Sequence, residues 1–176
     1  MKRKFLLIYC WLVRILLYFL PDIPFIMRFR GWLYGFGMKK CGYDFQVTHD
    51  AYIKDLQGIS VGNHCFVGNT VVIMGSGETI IEDEVMIAPH AIIISGNHTS
   101  VNGSYRYGKA DAGKIFIGRG SWIAGNATIV KGASLPEDSV LSANSFLNKS
   151  FDIPHSIYGG IPAKLIKTRE NVNEKC

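Results

Sequence analysis

Residues 115–147 read IFIGRGSWIAGNATIVKGASLPEDSVLSANSFL, with an aliphatic side chain at every sixth position. Two shorter runs upstream keep the same spacing. The twelve lattice residues are Val61, Val67, Ile73, Ile81, Ile87, Ile93, Ile117, Ile123, Ile129, Leu135, Leu141 and Leu147. A period of six fits neither an α-helix nor a single strand, but it matches a chain that turns a corner every six residues. The lattice therefore predicts an all-β fold, a parallel β-helix with three faces in a coil of eighteen residues.

Small residues support this prediction. The positions two before the later lattice points are occupied by Ile115, Ser121, Ala127, Ala133, Ser139 and Ser145, nearly all of them small. Small side chains suit tight corners, where the backbone turns sharply. Val47 and Ile53 extend the lattice one coil earlier if two extra residues before Val61 are absorbed at a corner. We therefore expect the stack to begin near residue 45, and its flat faces to pair with other copies in a closed ring.

Residues 5–20 differ in character, since FLLIYCWLVRILLYFL is almost entirely apolar. The run is too short for a typical spanning helix and contains Arg14. Bulky residues before Pro21 argue against a cleavable signal peptide. Two interpretations remain open for this apolar helical segment. It caps the coil stack, or residues 1–20 lie on a membrane surface; the cations that would then meet anionic head groups are Lys2, Arg3, Lys4, Arg28 and Arg30.

The amino-acid composition bears on the cellular compartment and on the charge of the ligand. The cysteines are Cys10, Cys41, Cys65 and Cys176, without a close pair, which favours a reducing cytoplasm, with the inner membrane surface as the peripheral alternative. The formal net charge of +5 suits an anionic ligand and suits a membrane surface equally. No nucleic-acid motif is present, so we expect no nucleic-acid partner.

The lattice is interrupted between Ile93 and Ile117, where the intermediate positions Thr99, Tyr105 and Asp111 are not aliphatic. We expect the chain to leave the stack there as a protruding loop at about 96–114, polar and basic. Loops on rigid scaffolds are where function concentrates, so a histidine at the loop root is a candidate functional residue.

Four stretches together resemble the hexapeptide-repeat acyltransferases, in particular the saccharide O-acetyltransferases. They are the lattice, the loop opened by Gly96-Asn97-His98, the run SWIAGNATIVKGASLPEDSVLSANSF, and GGIPAKLIK at 159–167. The resemblance covers about 45–167 and implies a left-handed β-helix, an exception to the usual right-handed crossover. It divides the chain into an N-terminal helical segment at 1–44, an acyltransferase domain at 45–157 and a C-terminal segment at 158–176.

The resemblance implies direct transfer of an acetyl group from acetyl-CoA to a saccharide hydroxyl, with His98 as the general base. A neutral imidazole can take the hydroxyl proton as attack proceeds. Glu78, Glu82 and Asp83 are candidates to orient its ring. The resemblance further implies a homotrimer with sites at subunit boundaries and no required metal. The apolar segment suggests a lipid-linked acceptor in surface polysaccharide or lipopolysaccharide biosynthesis.

The remaining site residues also come from the resemblance. Gly125 would stabilise the oxyanion through its backbone. The cofactor-binding positions are Trp122, Ala124, Ala143, Asn148, Lys149 and Lys164, and further cations for the phosphates are Lys167 and Arg169. Relatives often have Thr where Asn148 stands, which weakens that assignment. Asn69 and Asn97 are candidate acceptor-binding residues.

Other functions stay open at this point. An N-acetyltransferase acting on an amino-sugar nucleotide would use the same base and cofactor groove. A non-catalytic β-helix scaffold would show no acetyl-CoA affinity. A zinc site of the γ-class carbonic anhydrase kind would need His64, His90 and His98, whose spacing does not reproduce the close histidine pair of that enzyme.

Overall fold

The computed structural model describes residues 2–169, with side chains from residue 4; Cys176 lies outside this range. Two helices, α1 (Lys2–Leu17) and α2 (Pro24–Gly35), precede the strands. The strands are β1 (Lys40–Cys41), β2 (Gln46–Val47), β3 (Tyr52–Ile53), β4 (Ile59–Val61), β5 (Phe66–Val67), β6 (Val72–Met74), β7 (Thr79–Ile81), β8 (Met86–Ile87), β9 (Ile92–Ile94), β10 (Gly96–His98), β11 (Ala110–Ala112), β12 (Ile115–Ile117), β13 (Trp122–Ile123), β14 (Thr128–Val130), β15 (Ser134–Leu135), β16 (Val140–Leu141), β17 (Phe146–Leu147), β18 (Ser156–Gly159) and β19 (Lys164–Thr168). A short 3₁₀ turn spans Leu56–Gly58.

The strands stack into three faces. The first face is β1-β4-β7-β12-β15, the second runs from β2 through β5, β8, β13 and β16 to β18, and the third is β3-β6-β9-β14-β17. Stacked neighbours within a face are parallel, and β19 closes the second face antiparallel to β18. Every one of the twelve lattice residues is at most 2% exposed. The predicted left-handed parallel β-helix of hexapeptide repeats is confirmed.

The coils are not all of one length. Ile117 pairs with Leu135, eighteen positions later, but Val61 pairs with Ile81, twenty positions later. The two additional residues lie at the corner between the third and first faces, where the turn Leu56–Gly58 and the Gly75–Gly77 bend stand. The eighteen-residue coil therefore holds only in the later part of the stack, because a corner can lengthen without disturbing strand register.

The first coil also begins earlier than residue 45. Strand β1, at Lys40–Cys41, already pairs with β4. The three-part division of the chain at 44 and 157 stays a prediction.

Helix α1 covers the N-terminal end of the stack with one face. Cys10, Val13 and Leu17 are buried and join the same hydrophobic cluster as Leu56 of the first coil. The capping interpretation thus describes this face, while the opposite face is exposed. Over the described residues, no helix is long and apolar enough to cross a membrane.

Arg30 corrects one expectation, because it cannot meet lipid head groups. Its side chain is 2% exposed, and it donates hydrogen bonds to the Val47 carbonyl at 2.5 Å and to Asp22 at 3.1 Å. It also donates to the Leu20 carbonyl at 3.2 Å. Arg30 therefore joins α2 and the end of α1 to the first coil.

Candidate active site

The predicted loop is an antiparallel arm. Strand β10 pairs with β11 in register, with His98 opposite Ala110 and Asn97 opposite Asp111. The Lys131 ammonium group pairs with the Asp111 carboxylate, so the arm is tied to the corner that follows β14. His98 consequently stands on a regular strand near the arm's root, with its side chain exposed.

The imidazole of His98 has no orienting partner within the described part of the chain. Its backbone N–H donates to Asn97 Oδ1 at 2.8 Å, which accounts for Asn97 structurally. The three carboxylates suggested as partners bind elsewhere: Glu78 accepts from Lys39 at 2.6 Å, Glu82 from the Arg119 N–H at 3.0 Å, and Asp83 from the Asn63 N–H at 2.7 Å. None of the three orients His98 in this chain.

Gly125 lies at the corner between the second and third faces, directly after β13. Its carbonyl accepts from the Asn144 N–H at 3.0 Å, and the next N–H, of Asn126, donates to the Pro89 carbonyl at 3.1 Å. No acceptor among the described residues is bonded to the Gly125 N–H itself. A fixed, unpaired donor of this kind can stabilise a developing oxyanion without reorganisation.

Trp122 lies on the second face beside this corner. Its side chain is 43% exposed, in the row between Met86 and Val140. Ala124 is buried, its N–H donates to the Leu141 carbonyl at 2.9 Å, and its carbonyl accepts from the Ala127 N–H at 3.2 Å, so both of its backbone groups are already bonded within the stack. The corner therefore combines the apolar surface of Trp122 with the free backbone donor of Gly125.

The other predicted cofactor residues lie in two places. Ala143 is exposed at the same corner, one coil beyond Gly125. Asn148 and Lys149 follow β17 at the next corner, where the Lys149 ammonium lies 5.1 Å from the Phe151 ring centre. Lys164 is exposed at the start of β19.

Lys167 and Arg169, the two further cations predicted for the phosphates, differ in their surroundings. Lys167 is exposed within β19, in the same closing hairpin as Lys164. Arg169 forms an ion pair with Asp138 at 2.6 Å and is not a free cation.

Asn69 lies on the same corner as Gly125, nearer the N-terminal end. Its amide nitrogen donates to Asp50 at 3.1 Å and to Asp22 at 3.3 Å. These bonds give Asn69 a structural role and leave its amide oxygen for an acceptor.

His98 and Gly125 stand at opposite ends of the third face. Strands β9 and β14 pair in register, with Ile92 beside Thr128 and Ile94 beside Val130. The arm leaves after Ile94, whereas Gly125 precedes Thr128. A single chain thus places the base and the oxyanion donor on different edges of the prism.

His90, which the sequence suggests only as a zinc ligand, lies on the Gly125 corner. Its Nδ1 lies 2.5 Å from Thr70 Oγ1, and it follows Pro89 on the Gly125 corner. The signal was present, since His90 follows lattice residue Ile87 at the same spacing as Asn126 follows Ile123.

His64 occupies the corner between the first and second faces. Its Nδ1 lies 2.8 Å from Asp44, and hydrogen bonds from Arg28 and His64 lower the pKa of Asp44 to about 2. His64, His90 and His98 therefore stand on three different edges. Among the described residues, no three His, Cys, Asp or Glu side chains are grouped to hold a metal ion.

The architecture defines a class: a trigonal β-helix with a histidine on a protruding arm and a free backbone donor at a corner. No family model matches the sequence. Galactoside O-acetyltransferase of Escherichia coli is 24% identical over 126 residues, which are 72% of this chain and 62% of the relative. The chain spans less than two thirds of the length of the curated relatives it matches.

Solved structures share the fold. A maltose O-acetyltransferase from Clostridium difficile superposes with a TM-score of 0.82 at 23% identity, covering 97% of this chain and 87% of that one. A hexapeptide-repeat acetyltransferase from Vibrio cholerae, complexed with acetyl coenzyme A, gives 0.81 at 21% identity, covering 96% and 89%. The chain therefore shares the left-handed β-helix fold of these acetyltransferases.

Proposed function

We propose that the protein is an acetyl-CoA-dependent O-acetyltransferase that acetylates a saccharide hydroxyl. The observation that carries this proposal is the unpaired Gly125 N–H beside the exposed Trp122, on a corner that the backbone holds rigidly. The acetyl-CoA named for the Vibrio cholerae relative and the sugar substrates named for the other two support it.

The chemistry follows from the residues. His98 Nε2 or Nδ1 accepts the acceptor hydroxyl proton as the oxygen attacks the thioester carbonyl carbon. The Gly125 N–H donates to the carbonyl oxygen as it becomes an oxyanion. On collapse the carbon–sulfur bond breaks, the new ester remains on the sugar, and the imidazolium returns its proton to the coenzyme A thiolate. No covalent acyl-enzyme is formed.

A trimer would unite the two halves of this site. His98 and Gly125 lie at opposite ends of one face, so a neighbouring copy packed along that face can bring its His98 to this chain's Gly125. Three of the outward positions on the third face are apolar and half-buried, namely Val72, Ile92 and Phe146, which favours packing between copies. Each boundary then contains one complete site.

The N-terminal cap supports a membrane location for the acceptor. Within α1, every exposed side chain after Lys4 is apolar: Phe5, Leu7, Ile8, Trp11, Leu12, Ile15 and Leu16. Helix α2 adds an exposed aromatic row, with Phe29 stacked on Trp32 at 5.8 Å. A helix facing water would normally carry polar residues there.

Positive charge is also concentrated in the N-terminal part of the chain. Residues 1–44 contain eight Lys or Arg and only two Asp or Glu, whereas residues 45–176 contain eleven and twelve. A basic, aromatic, apolar surface is what binds the interface of an anionic bilayer. The proposal therefore includes peripheral contact with the inner membrane surface and a lipid-linked saccharide of surface polysaccharide assembly.

The test is acetyl-CoA consumption, followed as thiol release, over mono-, oligo- and lipid-linked saccharides and amino-sugar nucleotides. We expect a saccharide-dependent rate that His98→Ala lowers about 10²–10⁴-fold while coenzyme A still binds. An amine-dependent rate alone would indicate an N-acetyltransferase. A chain that neither binds nor consumes acetyl-CoA would refute the proposal.

A further inference from the structure

Thr70 and His90 form a hydrogen-bonded pair on the corner that contains Gly125. Thr70 Oγ1 donates to the Asn69 carbonyl at 2.7 Å and lies 2.5 Å from His90 Nδ1. A hydroxyl has one proton, so with that proton on the Asn69 carbonyl its oxygen accepts from His90 Nδ1–H. The neutral ring then carries its acceptor lone pair on Nε2, for which no partner exists among the described residues.

The backbone at Thr70 is strained. Thr70 has φ 55°, in the left-handed region, where a β-branched residue is a rare outlier. The later coils place Asn126 and Asn144 at the matching position, with φ 58° and 57°, and Asn tolerates this conformation. A strained Thr at a position where Asn would be unstrained indicates that the Thr70 hydroxyl has a functional role.

The Thr70–His90 pair lies between Asn69 and the Gly125 corner. Asn69, a candidate acceptor residue, adjoins Thr70, and the His90 N–H donates to the Asn69 carbonyl at 3.0 Å. One coil further on, the Asn126 N–H donates to the Pro89 carbonyl, so His90 lies directly next to the Gly125 corner. His90 therefore stands between a candidate acceptor residue and the oxyanion donor of the same chain.

We propose that His90, held by Thr70, binds the acceptor by accepting a hydrogen bond from a sugar hydroxyl at Nε2. The inference rests on the proposed function and adds a second imidazole to the site, with a role in acceptor affinity, distinct from the proton transfer assigned to His98. No bond is made or broken at His90. Because the Nδ1–H of His90 donates to Thr70, the ring can offer a ligand only the lone pair of Nε2, and it therefore selects a hydroxyl that donates.

The first test is kinetic. His90→Asn removes the ring and keeps a residue suited to φ 63°, so the fold is preserved. We expect KM for the saccharide to rise about tenfold with KM for acetyl-CoA unchanged. Thr70→Ser keeps the hydroxyl and should resemble wild type. Thr70→Asn should raise Tm by relieving strain and still weaken saccharide binding.

The second test does not need turnover. Long-range ¹H–¹⁵N NMR spectra should show His90 as the Nδ1–H tautomer in wild type and in Thr70→Ser, but as a mixture in Thr70→Asn. A wild-type ring protonated at Nε2 would overturn the inference, as would an unchanged saccharide KM in His90→Asn. Neither result would touch the proposed function, which fails only if wild type transfers no acetyl group.

Discussion

The Lys131 ammonium group pairs with Asp111 and so ties the outer strand of the arm to the body of the stack. Asp111 lies across the arm from Asn97, and Asn97 directly precedes His98 in the chain. The ion pair therefore limits how far the strand that carries His98 can move. Both side chains are partly exposed, so the pair contributes no more than about 1 kcal/mol.

Lys131→Met should lower kcat about fivefold, the equivalent of that free energy, because the arm then samples positions away from the acceptor. The dissociation constant of coenzyme A should not change. The charge-swapped double variant Asp111→Lys/Lys131→Asp is the matched control and should recover most of the rate. A double variant as slow as Lys131→Met would show that the ion pair is not what positions the arm.

Mixed oligomers test whether the site lies between chains. His98→Ala and Gly125→Val should each be nearly inactive as pure proteins, yet co-expressed subunits should regain activity, since one boundary then pairs an intact His98 with an intact Gly125. The Gly125→Val variant should fold, because a Cβ added at Gly125 meets only the Pro89 carbonyl oxygen within 4 Å, at 3.4 Å. Co-purified mixtures without recovered activity would place the whole site within one chain.

The cap surface predicts lipid binding. Ile8→Asp/Ile15→Asp should weaken co-sedimentation with phosphatidylglycerol vesicles at least tenfold, since two exposed apolar side chains of α1 are replaced by charge. Ile161→Asp changes an isoleucine of the C-terminal segment that is more exposed than either Ile8 or Ile15, and this variant should bind like wild type. Added salt should weaken wild-type binding. If the double variant instead halves or thirds the oligomer mass without lipid, the surface joins protein copies.

Two arginines of α2 should differ sharply in their effect on stability. Arg30→Met leaves the Val47 and Leu20 carbonyls without their Arg30 donor, removes the Arg30 bond to Asp22, and should cost about 3 kcal/mol of unfolding free energy. Arg28→Met removes an exposed partner of Asp44 and should cost less than about 1 kcal/mol. Urea denaturation of both variants measures the difference. Equal losses would contradict the anchoring role of Arg30.

Acid should destabilise the protein through Asp44. Its folded pKa is about 2, against an ordinary 3.8, so the unfolded chain takes up this proton first. The stabilisation is complete above about pH 4 and is lost as the pH falls towards 2. The urea midpoints of wild type and Asp44→Asn should therefore converge across this window. A constant difference between them would mean that Asp44 titrates normally.

The sequence by itself determined the fold, because a six-residue period leaves one inward position per face and each aliphatic residue on it must be buried. It also located the arm, since Thr99, Tyr105 and Asp111 could not occupy inward positions, and through family resemblance it named His98 and Gly125.

Tertiary structure alone decided what meets across coils. Arg30 looked like a surface cation and is buried, because the carbonyls of Leu17 and Leu20 at the end of α1 and of Val47 in the first coil converge on it. The Thr70–His90 pair joins residues twenty positions apart, and coil length, which the corners are free to vary, sets that register. The same register separates His98 from Gly125 by the width of a face, a distance that no local pattern in the chain contains.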